Sequence, residues 1–80
     1  MSLRVVIAKV DEILFEGEAY SMTLPGSEGE LTVLGEHMPL ISTLKAGDIT
    51  VRLSKDGEPQ VFPVTGGVLE VRSDGATVIL

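Results

Sequence analysis

The sequence contains no cysteine and no tryptophan, and its aromatic residues are only Phe15, Tyr20 and Phe62. Without cysteine, a disulfide, a nucleophilic thiolate and a thiolate-ligated metal are all excluded, and a reducing compartment is the natural setting. The single histidine, His37, has no second histidine to share a metal, and His-Met-Pro does not match the His-Glu-x-x-His zinc pattern. Positive charge is scarce as well: six Lys and Arg stand against twelve Asp and Glu, a net charge of −6. An acidic surface repels phosphate backbones, so basic protein loops are the expected partners and nucleic acid is not. Long apolar runs are missing too; none nears the roughly 20 residues that span a bilayer. The run after Met1-Ser2-Leu3-Arg4 is too short, and too soon broken by charge, to be a signal peptide. Any membrane association is therefore expected to run through a partner.

What is present is strand chemistry. Eighty residues, 44% of them apolar, supply one small core and one domain over 1–80. A domain of this size buries about 60% of its unfolded surface, leaving little for a deep substrate cavity. Val5-Val6-Ile7 reads as a buried strand within Leu3 to Val10, and Ile13-Leu14-Phe15 opens the next, with Phe15 as a core anchor. Tyr20, Met22 and Leu24 alternate with Ala19, Ser21 and Thr23, placing those three large side chains on one face. Leu31 to Leu34, Leu40 to Leu44, Ile49 to Ser54, Val61 to Thr65, Val68 to Val71 and Ala76 to Leu80 complete the set. Lys55-Asp56-Gly57-Glu58 suggests a type I′ or three-residue bulged hairpin in which glycine takes positive φ. Pro63 cannot donate to a ladder, which marks an edge strand or a bulge. Turn signals recur every six to twelve residues without helical periodicity, so the expected fold is all-β, an antiparallel β-sandwich.

The most distinctive stretch runs from Leu24 to Leu40. Gly26 and Gly29 supply turn freedom behind Pro25, while Glu28 and Glu30 flank the turn. The half from Met1 to Pro39 carries seven acidic and two basic residues, net −5; Leu40 to Leu80 carries five and four, net −1. A catalytic use of Glu28 and Glu30 is poorly supported, because residues two apart in a strand share a face and cannot flank a bond. Ser27 is not in a nucleophile elbow, and Ser27 with Glu30 fits a helix capping box only until the β-branched Thr32 and Val33 that follow. Gly26-Ser27-Glu28-Gly29 mimics an RNA-clamping loop but lacks the flanking helices and basic surface. There is no Gly-x-x-x-x-Gly-Lys phosphate loop. An exposed, rigid, acidic turn on strands suits docking, and no cofactor or metal is called for.

These residues resemble the epsilon subunit of the F-type ATP synthase. Pro25-Gly26-Ser27-Glu28-Gly29-Glu30-Leu31 is similar to that family's Gly-x-x-Gly-Glu-Leu segment. Gly35-Glu36-His37-Met38-Pro39-Leu40-Ile41 is similar to its Pro-Gly-His-Ala-Pro-Leu-Leu, and Lys45-Ala46-Gly47 to its Lys-Pro-Gly. Thr65-Gly66-Gly67-Val68-Leu69-Glu70-Val71 is similar to its Ser-Gly-Gly-Ile-Leu-Glu-Val. The resemblance covers nearly the whole chain, with the motifs in order; Glu36 and Gly35 depart from the usual glycine and proline.

The resemblance implies a β-sandwich of two roughly five-stranded sheets at the foot of a central stalk. It would bind the gamma subunit and the c-ring, coupling ion-driven rotation to ATP synthesis without itself catalysing a reaction. Its place would be peripheral, on the cytoplasmic face of the energy-transducing membrane, most simply a bacterial inner membrane. The ring and gamma contacts it implies are Glu28, Glu30, Leu31, His37, Met38 and Ser42. The family's C-terminal helical hairpin is absent from the sequence, so its inhibitory and nucleotide-binding roles are not carried over. The competing reading is a lipoyl or biotinyl carrier domain modified on Lys55, although Lys55 lacks the Asp-Lys-Ala or Met-Lys-Met setting of such carriers.

Overall fold

The computed structural model describes residues 2–35 and 38–80. Nine strands account for the regular structure: Leu3–Lys9 (β1), Glu12–Ala19 (β2), Ser21–Gly26 (β3), Gly29–Leu34 (β4), Leu40–Leu44 (β5), Gly47–Arg52 (β6), Pro59–Val64 (β7), Gly67–Arg72 (β8) and Gly75–Ile79 (β9). Hydrogen bonding runs β2-β1-β9-β8-β5-β3-β6-β7, with β4 on the free side of β3. The step from β5 to β3 is the single pair Gly26↔Leu44. At that thin seam the sheet folds into two layers, five strands (β2-β1-β9-β8-β5) against four (β4-β3-β6-β7). The all-β sandwich is as read from the sequence, with one strand fewer in the second layer.

One ladder is not antiparallel. β1 and β9 run parallel, with Val5 beside Ala76 and Ile7 beside Val78. They form the middle of the five-stranded layer, so the first and last strands of the fold are direct neighbours.

Alternation builds the core. Leu3, Val5 and Ile7 of β1 point inward with Leu69, Val71, Ala76 and Val78 from β8 and β9. Met22, Leu24, Ile49 and Val51 face them from the four-stranded layer. Each large side chain buried this way contributes about 1.5–3 kcal/mol. Pro63 lies on β7, which among the described residues pairs only with β6, and an edge strand is where proline is tolerated.

Three local readings change. Tyr20 is not on the face of Met22 and Leu24; it is 36% exposed at the point where the chain leaves one layer for the other. The inward positions pass from Ala19 to Met22, and this three-residue step at the crossing breaks the period of two and buries Ser21. The Asp56-Gly57 signal does mark a connection between paired strands, but β6 ends at Arg52 and β7 begins at Pro59. Gly57 is not among the glycines with positive φ; its N–H bonds the Ser54 carbonyl and its own carbonyl accepts from Arg52 Nη1. The loop is thus wider than a tight hairpin and closed by a side chain. Phe15 is half-buried at the margin of the core rather than in its depth.

Candidate docking site

The acidic turn between β3 and β4 is held by close backbone approach. Gly26 and Gly29 pair across the hairpin end. A Cβ on Gly26 would lie 2.5 Å from the Gly29 carbonyl oxygen, so Gly26 is needed for space. Gly29 is needed for conformation, with φ at +137°. Leu31 is half-buried, packs against the core and lies against Gly26, anchoring the turn from below. Glu28 at the tip and Glu30 opposite Pro25 are both exposed.

A third carboxylate joins them. Leu24, Gly26 and Ile49 face inward, which turns Pro25 and Asp48 outward on the same side as Glu30. The β3–β6 register runs from Ser21↔Arg52 to Thr23↔Thr50 and stops two residues short of Asp48. The neighbouring Gly47 lies against the Pro25 ring. Sequence reading missed Asp48 because it is 18 residues from Glu30 and only the packing of Gly47 against Pro25 brings β6 to the turn. The shared outward phase of Asp48 with Thr50 and Arg52 was the signal available.

The electrostatics of this corner differ from those of the opposite face. On the outside of the five-stranded layer, acids and bases are interleaved. Arg4 meets Glu16 at 3.2 Å and Glu18 at 3.9 Å; Arg72 meets Asp74 at 3.2 Å and Glu70 at 3.3 Å. Lys9 lies 3.9 Å from Glu12. Among the described residues, no ion pair involves Glu28, Glu30 or Asp48. Glu28, Glu30 and Asp48 thus place unneutralised negative charge at the β3–β4 corner, with Lys45, whose N–H bonds the Pro25 carbonyl, as the base nearest in the backbone network.

The remaining residues expected at the site lie elsewhere. Met38 is 81% exposed just before β5, and Ile41 is 74% exposed within it. Ile41, with Pro39 and Leu40, borders an open groove of about 510 Å³, completed by Glu70, Val71, Arg72 and Ser73, and Met38 immediately precedes that edge. Ser42 is half-buried, and its hydroxyl donates to the Thr43 carbonyl at 3.0 Å. His37 lies outside the described residues. Ser27 touches Thr43, and Met38 precedes Thr43 by five residues, about 16 Å of extended chain. The expected contacts thus fall into two groups, an acidic corner and an apolar edge, at opposite ends of β5. Lys55 is exposed in the loop between β6 and β7, apart from both. Among the described residues, no three His, Asp or Glu side chains gather as metal ligands, and no helix is long and apolar enough to cross a membrane.

The described residues form an all-β sandwich with an acidic corner and an apolar edge. Residues 2–80 match the family model described as the ATP synthase delta/epsilon chain, beta-sandwich domain, and the chain belongs to that family. It is 47% identical over 78 residues to the ATP synthase epsilon chain of Dichelobacter nodosus, covering 96% of this chain and 52% of that one. It is 37% identical over 78 residues to that of Herminiimonas arsenicoxydans, covering 98% and 56%. The chain therefore spans about half the length of the curated relatives it matches. A chain of the mitochondrial ATP synthase of Euglena gracilis (OSCP/F1/c-ring) has the same fold, with a TM-score of 0.86 at 21% identity over 98% of this chain and 49% of that one. A chain from the central stalk and c-ring of the Tetrahymena thermophila mitochondrial ATP synthase gives 0.79 at 15% identity over 99% and 63%.

Proposed function

We propose that this domain is the foot of a rotary central stalk, binding the gamma subunit and the c-ring of an F-type ATP synthase. It couples ion-driven rotation of the ring to ATP synthesis by contact, catalysing nothing itself. Family membership supports the assembly, and the observation that carries the division of labour is the corner of Glu28, Glu30 and Asp48. Carboxylates without ion-pair partners on a stiff turn attract basic polar loops, steering the encounter and fixing its orientation. The apolar edge at Met38, Leu40 and Ile41 suits a drier and more permanent contact, as expected of gamma. His37 and Ser42 belong to the same proposed contact, and Leu31 seats the corner. The domain lies at the cytoplasmic face of the energy-transducing membrane and reaches it only through the ring.

The two layers suit a torque-bearing part because close-packed interiors have low compressibility and transmit strain. The test is a pull-down from detergent-solubilised membranes of the source organism at low salt. Recovery of both gamma and c subunits is the expected result; loss of both overturns the assignment. Glu30→Lys should reduce recovery of c subunits with little change in melting temperature. A large loss of stability would instead assign Glu30 to the fold.

A further inference from the structure

The two layers are joined at the β3–β5 seam by more than one ladder pair. Beside Gly26↔Leu44, the Ser27 N–H donates to the Thr43 carbonyl at 2.9 Å, and the Lys45 N–H donates to the Pro25 carbonyl at 2.9 Å. The Ser27 and Thr43 hydroxyls lie 2.8 Å apart, one donating to the other. This last bond joins the tip of a hairpin in one layer to an edge strand of the other. Thr43 is on an exposed β5 position where valine would satisfy strand preference equally well. Its hydroxyl is therefore the part that needs an explanation.

We propose that Ser27 and Thr43 are positioning residues that lock the acidic corner to β5, fixing the spacing and orientation of the two contact surfaces. This rests on the docking reading above. Ser27 immediately precedes Glu28, and Thr43 lies two residues beyond Ile41, so one bond ties the charged tip to the strand that presents the apolar edge. Hairpin tips open locally at little cost, and a hydrogen bond of ordinary net worth shifts such an opening about two- to tenfold. A corner that is ordered before binding avoids the ordering cost at contact. Where two neighbours are gripped at once, a loose joint between the grips would turn ring rotation into internal motion of the foot.

The experiment compares Thr43→Val, Thr43→Ser, Ser27→Ala and Glu30→Lys in the whole subunit, titrated onto c-ring membranes stripped of their soluble sector. Thr43→Val should bind about three- to tenfold more weakly, from the loss of one hydrogen bond. Its melting temperature should fall by no more than about 8 °C, the most such a bond is worth in a domain of this size. Thr43→Ser, which keeps the hydroxyl, should restore affinity, and Ser27→Ala should match Thr43→Val. Amide exchange at Ser27 and Lys45 should quicken in Thr43→Val by a similar factor. Parental affinity in Thr43→Val, or failure of Thr43→Ser to restore it, overturns the positioning role. Glu30→Lys separates the two levels: if it weakens binding and Thr43→Val does not, only the lock is refuted, whereas parental binding by both refutes the docking reading.

Discussion

Phe15 of β2 and Phe62 of β7 meet edge to face, with ring centroids 6.0 Å apart and planes at 64°. They come from the outermost strands of opposite layers, so this contact closes the side of the sandwich away from the β3–β5 seam. The geometry is the favourable offset of two ring quadrupoles.

Phe62→Ala should therefore destabilise the fold by about 2 kcal/mol, less than the roughly 3–5 kcal/mol of a fully buried aromatic truncation because Phe62 is half-buried. For a domain of this size that lowers Tm by on the order of 10 °C. Phe15→Leu keeps most of the volume and should cost about 1 kcal/mol or less. No loss in thermal melts of Phe15→Leu would mean that the aromatic pair contributes no more than bulk, whereas a loss equal to that of Phe62→Ala would mean that the ring contact, absent from both variants, outweighs the volume that leucine keeps.

Gly26→Ala introduces a Cβ 2.5 Å from a backbone carbonyl that belongs to the paired residue of the hairpin. Neither atom can swing away as a side chain does, so a cost of about 2 kcal/mol or more is expected. Gly29→Ala has open space around its Cβ but a φ of +137°, and should cost about 1–3 kcal/mol through strain alone. Denaturant midpoints would check both, and unchanged midpoints would show that the turn rearranges freely.

Ile41 and Ile49 separate docking from folding. Ile49 is fully buried, and Ile49→Ala should remove about 2–5 kcal/mol of stability. Ile41, at 74% exposure, should give a change within about 0.5 kcal/mol when replaced by alanine. Its expected phenotype is weaker recovery of gamma in pull-downs. Destabilisation by Ile41→Ala as large as by Ile49→Ala would count against an interface role for that edge.

Charge at the corner should appear as salt dependence. Exposed charges are screened beyond about 8 Å at physiological ionic strength. Association with ring membranes should thus fall as salt rises, and the fall should flatten in a Glu28→Gln, Glu30→Gln, Asp48→Asn triple variant. Arg4→Ala breaks a pair whose side chains are each about half-exposed, and should change stability by no more than about 1 kcal/mol. A salt dependence unaltered by the triple variant would move the electrostatic contact elsewhere.

Strand positions were legible in the sequence because alternation survives wherever one face is buried, as with Leu3, Val5 and Ile7. Fold class and Pro63 at an edge followed from the same local chemistry. What was not legible depends on register and on crossings between layers. The phase change between Ala19 and Met22 leaves no mark in composition. The parallel pairing of β1 and β9 joins residues some seventy positions apart, beyond any local pattern. Glu28 and Glu30 were visible as a pair, but Asp48 comes near them only because Gly47 beside it lies against Pro25. Likewise Met38 is close to Glu30 in the sequence but at the far end of β5 from the acidic corner.

The adjacency of β1 and β9 also bears on how such a domain is made. Its five-stranded layer stays split down the middle until Ile79 has left the ribosome, since the strand that fills the gap is the ninth of nine. Until then β1 and β2 can form only a two-stranded ribbon, marginal on its own in water. Synthesis through that last strand, rather than the emergence of the earlier hairpins, sets the moment at which the sandwich can close.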